Sequence, residues 1–344
     1  MRLSLLFLLL LLISGCSDNG AHSHKQQLYV FGTLVEVVIW TEDEQAAQQE
    51  ITRLGEQFQQ WHLQWHPWQR GGDLAEFNQA LAEGETVAIP ETVMPLLQRA
   101  TELSQLSDGL FDPTMGGLVR LWGFSDNLVN PSQPPDAELL AEFIQDAPSL
   151  AQLQLEEGLA HSDNPRLQLD FGGFAKGYVV DRAIEQLRKH GFHNAIVNAG
   201  GDLRAIGSKD QWPWRIGIRH PREDGLIASL EIDGDESVFT SGDYERFFEY
   251  QGRRYHHIID PRSGYPTQGL SSVTVLHHAA DAADAAATAL MVAGPQKWRE
   301  TAKAMGLQHV MVIDAVGVVH MTPSMAERIH FETVSLPEIL VETL

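Results

Sequence analysis

Between Leu169 and Leu187 the chain reads LDFGGFAKGYVVDRAIEQL, and this stretch restricts the fold more than any other. A strand end meets Gly172-Gly173, and a helix follows in which Val179, Val180, Ala183, Ile184 and Leu187 recur at helical spacing. A Gly-rich turn feeding a helix start offers free backbone N–H groups and a positive dipole end, which suits an anion such as phosphate. The pattern is neither the P-loop GxxxxGK[ST] nor GxGxxG. Such a turn serves packing as readily as binding. Its weight comes from three further polar turns downstream, at Asn198–Asp202, Ser241–Arg246 and Asp260–Pro266.

The 344 residues allow a large core and one or two domains. The net charge of -22, from 46 acidic against 24 basic residues, speaks against a nucleic-acid surface. A small anion remains compatible where a metal or a local cluster offsets that charge. Arg2 and the apolar run Leu3–Ile13 resemble a signal segment too short to span a bilayer. The run ends Leu12-Ile13-Ser14-Gly15-Cys16, which resembles a bacterial lipobox, so residues 1–16 are expected to be a lipoprotein signal with Cys16 the acylated residue. Cys16 is the sole cysteine, which excludes an internal disulfide. Residues 17–26 read as a polar tether, and 27–344 as the folded unit. Lipid anchorage to a bacterial membrane on the periplasmic side is the expectation. Ser17 stands where an aspartate would have resembled an inner-membrane retention signal; the leaflet stays open.

Along the folded part, Leu28–Trp40 reads as one strand with Gly32 a bulge or close-approach point. Ala47, Ile51, Leu54, Phe58, Trp61 and Trp65 form an amphipathic stripe that Pro67 ends. Trp68, beyond the proline, suits stacking on a flat ligand as well as packing. A second helix is expected from about Glu91 to Leu106. Leu118–Phe124 reads as buried, and Asn127–Pro135 as the internal break. Short strands are expected at Ala195–Val197, Leu203–Ile206, Trp214–Arg219, Ala228–Ile232 and Ser272–Leu276, with a closing hairpin at His309–Ile313 and Val316–Met321.

His256 and His257 end a strand before a turn set by two prolines and a glycine. Adjacent strand residues point to opposite faces, so one imidazole faces a site while the other meets core or solvent. In the alanine-rich helix 281–290, Asp284 and Thr288 share a face. The surrounding alanines leave room for a ligand, or simply pack tightly. Oxygen donors of this kind favour Mg²⁺ over zinc. Asp281, near the helix start, reads as a cap.

Seven pieces in this order resemble the bacterial FAD:protein FMN transferase (ApbE) family. They are Phe31-Gly32-Thr33, Asp112-Pro113-Thr114 with Leu121–Phe124, LDFGGFAKGYVVD, NAGGD, Thr240–Tyr244, HIIDPRSGYP, and Ala283-Asp284 with Thr288-Ala289-Leu290. The resemblance runs from about Leu28 to Met321. It implies an α+β fold, mixed β-sheets packed with helices, with FAD as substrate, Mg²⁺ as cofactor and a protein acceptor. By position it puts flavin contacts on Phe31, Trp68, Leu110, Phe111, Asp112, Lys176, Arg182 and Ile259. Metal contacts fall on Asp284, Thr288 and backbone carbonyls near Val179 and Ala287. Phe31 and Trp68 replace a methionine and a tyrosine, Gly117 stands where proline is common, and Ala287 lacks the carboxylate some relatives carry there, which leaves the number of metal ions open.

The reaction implied is transfer of FMN from FAD to an acceptor threonine, releasing AMP, with acceptors among the subunits of membrane redox complexes. His257 is the candidate base, its reference pKa of about 6.5 suiting proton transfer near neutrality; Asp260 would orient it or be the base itself. A Mg²⁺-dependent FAD pyrophosphatase, or a flavin-binding lipoprotein without catalysis, would use the same pieces.

Overall fold

The computed structural model describes residues 20–125, 131–333 and 336–344. The expected signal segment, with Cys16, lies outside the described residues, as do residues 127–130 of the expected break. Among the described residues no helix is long and apolar enough to cross a membrane.

The run read as one strand is a hairpin. β1 (His22–Val30) and β2 (Thr33–Thr41) pair antiparallel with Val30 opposite Thr33. Between them Phe31 and Gly32 have φ of 54° and 73°. Left-handed values at both positions make a turn whose twist matches the strands, so Gly32 is a turn residue and not a bulge. The expected tether is also shortened: His22–Gln26 are strand residues facing Thr41–Val37. Main-chain bonds hold this edge, so its polar side chains carried no strand signal.

α1 (Glu44–Trp65) buries the expected Ala47, Ile51, Leu54 and Phe58, and Asp43 caps its start by accepting from the Ala46 N–H. α2 (Asp73–Ala82) was not expected; it buries Leu74, Phe77, Asn78 and Leu81. After β3 (Val87–Ala88), α3 (Met94–Leu106) begins later than expected, with Pro95 in its first turn. α4 (Gly116–Leu121) and α5 (Ala137–Gln145) form a small subcore with Trp122 and Phe124. β4 (Gln154–Glu156) and β5 (Leu159–His161) complete a small sheet with β3.

α6 (Ala175–Lys189) then leads into the strands β6 (Ala195–Ala199), β7 (Asp202–Gly207), β8 (Trp214–Arg219), β9 (Leu226–Ile232) and β10 (Gly234–Gly242). β11 (Phe247–Tyr250) and β12 (Arg253–His256) form a separate hairpin. β13 (Leu270–His277), α7 (Ala280–Ala304), β14 (His309–Asp314) and β15 (Val319–Met321) follow. α8 (Pro323–Ala326), β16 (His330–Phe331) and β17 (Ile339–Val341) end the described chain.

The large sheet runs β1-β2-β6-β7-β10-β13-β14-β15-β17, antiparallel except for β15–β17. On one face α1, α6 and α7 pack against Val37, Val197, Val273 and Val312. On the other, β8 and β9 cover Leu203, Val238 and Met311 with Trp214, Ile216 and Leu230. α2 and α3 close the outer side of α6 and α7. The class is α+β, with mixed sheets packed against helices.

The crossing of α6 and α7 sets the site. A Cβ at Gly177 would lie 2.2 Å from the Ala280 carbonyl oxygen, so glycine permits the approach. Asp181 accepts from the backbone N–H of Ala280 at 3.0 Å and of Asp281 at 3.1 Å, capping α7 from α6. Asp281 is therefore not the cap. Its carboxylate takes a bidentate ion pair from Arg99 of α3, at 2.7 and 2.9 Å.

Candidate functional site

Three of the four polar turns meet at one cavity of about 520 Å³. Gly172 arrives from the turn before α6, Gly200 and Gly201 from the β6–β7 hairpin, and Tyr244–Arg246 from the chain after β10. The Phe31-Gly32 turn joins them, and a Cβ at Gly200 would meet the Thr33 hydroxyl at 2.2 Å. The fourth turn, Asp260–Pro266, stays outside; His257, just ahead of it, enters.

Of the expected flavin contacts, Phe31, Trp68 and Lys176 line this cavity. Phe31 stands edge-on to Phe58 at 6.3 Å and to His62 at 5.6 Å. Its left-handed backbone is uncommon for a bulky residue, a strain the hairpin imposes at the cavity wall. Trp68 lies beneath the Arg120 guanidinium, 5.9 Å from the ring centre.

The other expected contacts are placed elsewhere. Phe111 is buried edge-on to Phe174 and braces Gly173, whose added Cβ would meet the Phe111 ring at 3.1 Å. Leu110 packs between two helical cores. Asp112 holds its own turn, accepting from the Thr114 N–H at 2.8 Å and hydroxyl at 2.7 Å, and burial raises its pKa. Arg182 points from α6 to Glu185 at 2.8 Å and over the Tyr178 ring. Ile259 packs in the subcore around Trp122. These five do not line the cavity, because a segment can border a cavity while its neighbouring side chains support it from behind.

Lys176 and Asp202 form an ion pair in the cavity wall, and the Asp202 carboxylate also accepts from the Thr240 N–H at 2.8 Å. Burial alone would lower the Lys176 pKa, but Asp202, Asp284 and Glu245 outweigh it and raise the value. Asp284 is 4% exposed and accepts from the Gly177 N–H at 2.9 Å. Burial pushes its pKa up to about 8, with Asp202 and Glu245 adding to the rise and Lys176 and the Gly177 N–H opposing it. The start of α6 thus receives the protein's own carboxylate where the sequence suggested phosphate. Likewise the Gly172 N–H goes to Asp170 at 2.8 Å.

The Thr288 hydroxyl sits 3.4 Å from the Ser241 hydroxyl and donates to the Gly173 carbonyl at 3.4 Å. Asp284, Thr288 and the Gly173 carbonyl are oxygen donors where α7 meets the start of α6, none of them in the lining of the cavity, and a cation beside the buried Asp284 carboxyl would favour its charged form. Hard oxygen donors of this type fit Mg²⁺. Among the described residues no group of three or more His, Cys, Asp and Glu is arranged for a metal, so this candidate rests on one carboxylate, hydroxyls and a carbonyl. Val179 lies inside α6 and Ala287 inside α7, where each carbonyl already accepts one bond from the residue four ahead.

His256 and His257 part as expected. The His256 ring bonds the Thr267 carbonyl at 2.8 Å in the core, while His257 lines the cavity. The His257 N–H donates to the Arg246 carbonyl at 3.0 Å, and its ring stands edge-on to Phe124. Its Nδ1 is buried with no hydrogen-bond partner. Burial, with the charges of Arg246, His256 and Lys176, lowers its pKa well below the ordinary value, so the ring is neutral at neutral pH. Asp260 does not orient it: both carboxylate oxygens bind Arg262, at 2.8 Å each.

Several groups in the site carried no mark in the sequence. Asp170, Asp202, Glu245 and Arg246 sit in turns whose glycines drew attention to the backbone rather than to these charges. Buried Asn78 of α2 clamps Leu169 through both its N–H and its carbonyl, at 2.7 and 2.8 Å, and so fixes the segment before Asp170.

Comparison with known proteins gives a consistent answer. Residues 31–312 match the ApbE family. A Rhodobacter capsulatus protein named FAD:protein FMN transferase is 38% identical over 309 residues, covering 89% of this chain and 58% of its own length. A Vibrio cholerae protein of the same name is 33% identical over 311 residues, covering 88% of this chain and 91% of its own. Among solved structures, the ApbE protein of Thermotoga maritima superposes with a TM-score of 0.82 at 30% identity, covering 89% of this chain and 99% of that one. The flavin transferase ApbE of Vibrio cholerae gives 0.78 at 28%, with 90% and 99% covered. The chain spans little more than half of the Rhodobacter protein and nearly all of the others. With the family matched over most of its length and the fold shared throughout, this chain belongs to the ApbE family.

Proposed function

We propose that this protein is a Mg²⁺-dependent FAD:protein FMN transferase that modifies a threonine of an extracytoplasmic redox subunit. The observation that carries the reading is one cavity that joins aromatic walls from Phe31 and Trp68 to the Lys176 ammonium, with the Asp284 carboxylate and Thr288 hydroxyl outside that lining, bonded to Gly177 and Gly173 around the start of α6. A flavin suits the first and a pyrophosphate the second. Mg²⁺ bound at the oxygen cluster would neutralise phosphate charge. Asp284 and Thr288 would hold that ion, and Gly173 would add its carbonyl.

Lys176 places a cation beside the phosphates. Neutral His257 takes the proton from the acceptor hydroxyl as its oxygen bonds the FMN phosphorus and the bond to AMP breaks. Tight packing around the His257 ring keeps it uncharged until that moment. Residues 1–16 would direct the chain outward and anchor it through Cys16, with the folded unit facing the periplasm.

Incubation with FAD, Mg²⁺ and a candidate acceptor tests the reading. Fluorescent acceptor on a denaturing gel supports it. FMN and AMP formed equally without acceptor would make the protein a pyrophosphatase, and intact FAD a flavin binder.

A further inference from the structure

We infer that His66 is a positioning residue for Trp68, setting the cavity's aromatic wall through the backbone; this rests on the flavin reading above. α1 ends at His66, whose backbone is extended, with φ -71° and ψ 118°. Pro67 has no N–H and cannot continue the helix. The next two N–H groups, of Trp68 and Gln69, thus leave the helix without intrahelical acceptors.

His66 takes both. Its Nδ1 accepts from the Trp68 N–H at 3.2 Å and from the Gln69 N–H at 3.1 Å. Two donors aimed at one ring nitrogen mean that Nδ1 carries no proton. The imidazole acts as asparagine does in an Asx turn, its side-chain acceptor closing the turn two and three residues on.

The consequence for Trp68 is geometric. Its indole is bounded by Gly116, where an added Cβ would sit 3.2 Å from the ring edge, and by Arg120 over the ring. These contacts fix the ring only if the backbone at residue 68 is held. His66 supplies that hold while lining the cavity beside His62, 5.4 Å away ring to ring.

The test measures amide hydrogen exchange at Trp68 and Gln69 in the full protein, alongside KM for FAD and kcat. His66→Ala is expected to speed exchange at both amides and raise KM for FAD roughly five- to tenfold, with a smaller effect on kcat. His66→Asn, which restores an acceptor, is expected to return both to near wild-type values. Unchanged exchange in His66→Ala, a loss confined to kcat, or failure of His66→Asn to rescue would overturn the assignment. Wild-type protein that ignores FAD would sink the flavin reading instead, while the exchange data still decide whether His66 holds the turn.

Discussion

Replacing Gly177 by alanine tests how tightly the α6–α7 crossing fixes the site. In an ordinary helix interior this change gains about 1 kcal/mol, since glycine loses more backbone freedom on folding. At Gly177 the new methyl carbon would lie 2.2 Å from the Ala280 carbonyl oxygen, 2.5 Å from its carbon and 2.7 Å from the Asp281 Cα. All three are backbone atoms, so no side chain can swing aside and α7 must move. Overpacking of this kind costs about 1–3 kcal/mol, and occasionally more. A contact this short with rigid backbone belongs at or above the top of that range, which leaves a net loss of roughly 2 kcal/mol after the propensity gain.

The movement also stretches the bond from the Gly177 N–H to Asp284, now 2.9 Å. Gly55 is the control: it lies in α1, and its nearest neighbour to an added Cβ is a Leu28 methyl at 3.9 Å. Gly55→Ala should therefore gain about 0.5–1 kcal/mol. Urea unfolding of the two variants and the wild type reads both signs. A Gly177→Ala protein as stable as the wild type would refute the claim that helix contact requires glycine there.

Three further outcomes are expected. Because the Asp284 pKa is raised in the fold from 3.8 to about 8, the metal-free protein binds more protons folded than unfolded in that window. Its stability should fall as pH rises through that range, and Asp284→Asn should flatten the fall; a urea midpoint series showing no difference between the two proteins would count against it. His257→Ala should keep FAD binding and lose transfer by about 10²–10⁴-fold, measured as acceptor fluorescence, and transfer at the wild-type rate would remove His257 as the base. Cys16→Ala should release the protein from membranes; retention through an alkaline wash would end the lipoprotein reading.

Much of this protein was legible before any fold. The stripe of α1, the turn and helix at Gly172-Gly173, the β6–β7 hairpin and the Asp284–Thr288 face follow from local rules of period and turn chemistry, which tertiary packing reinforced; the strand end expected before Gly172 is instead an extended segment with one isolated bridge at Gln168. The motif order also carried the family. Local rules failed where main-chain pairing mattered more than side-chain pattern, as in the polar strand β1, and where an unexpected helix such as α2 was buried as part of a larger core.

Which charges meet was decided only by tertiary structure. Lys176, Asp202, Glu245 and Asp284 come from four separate segments, and their meeting raises the pKa of both Lys176 and Asp284. Sequence position put Asp260 next to His257, yet a salt bridge with Arg262 turned its carboxylate away. Tertiary structure likewise brings the Thr288 hydroxyl of α7 to the Gly173 carbonyl in the turn before α6, a contact no sequence spacing indicates. The sequence determines which donors the chain possesses; the packing of α6 against α7 determines which of them share a cavity.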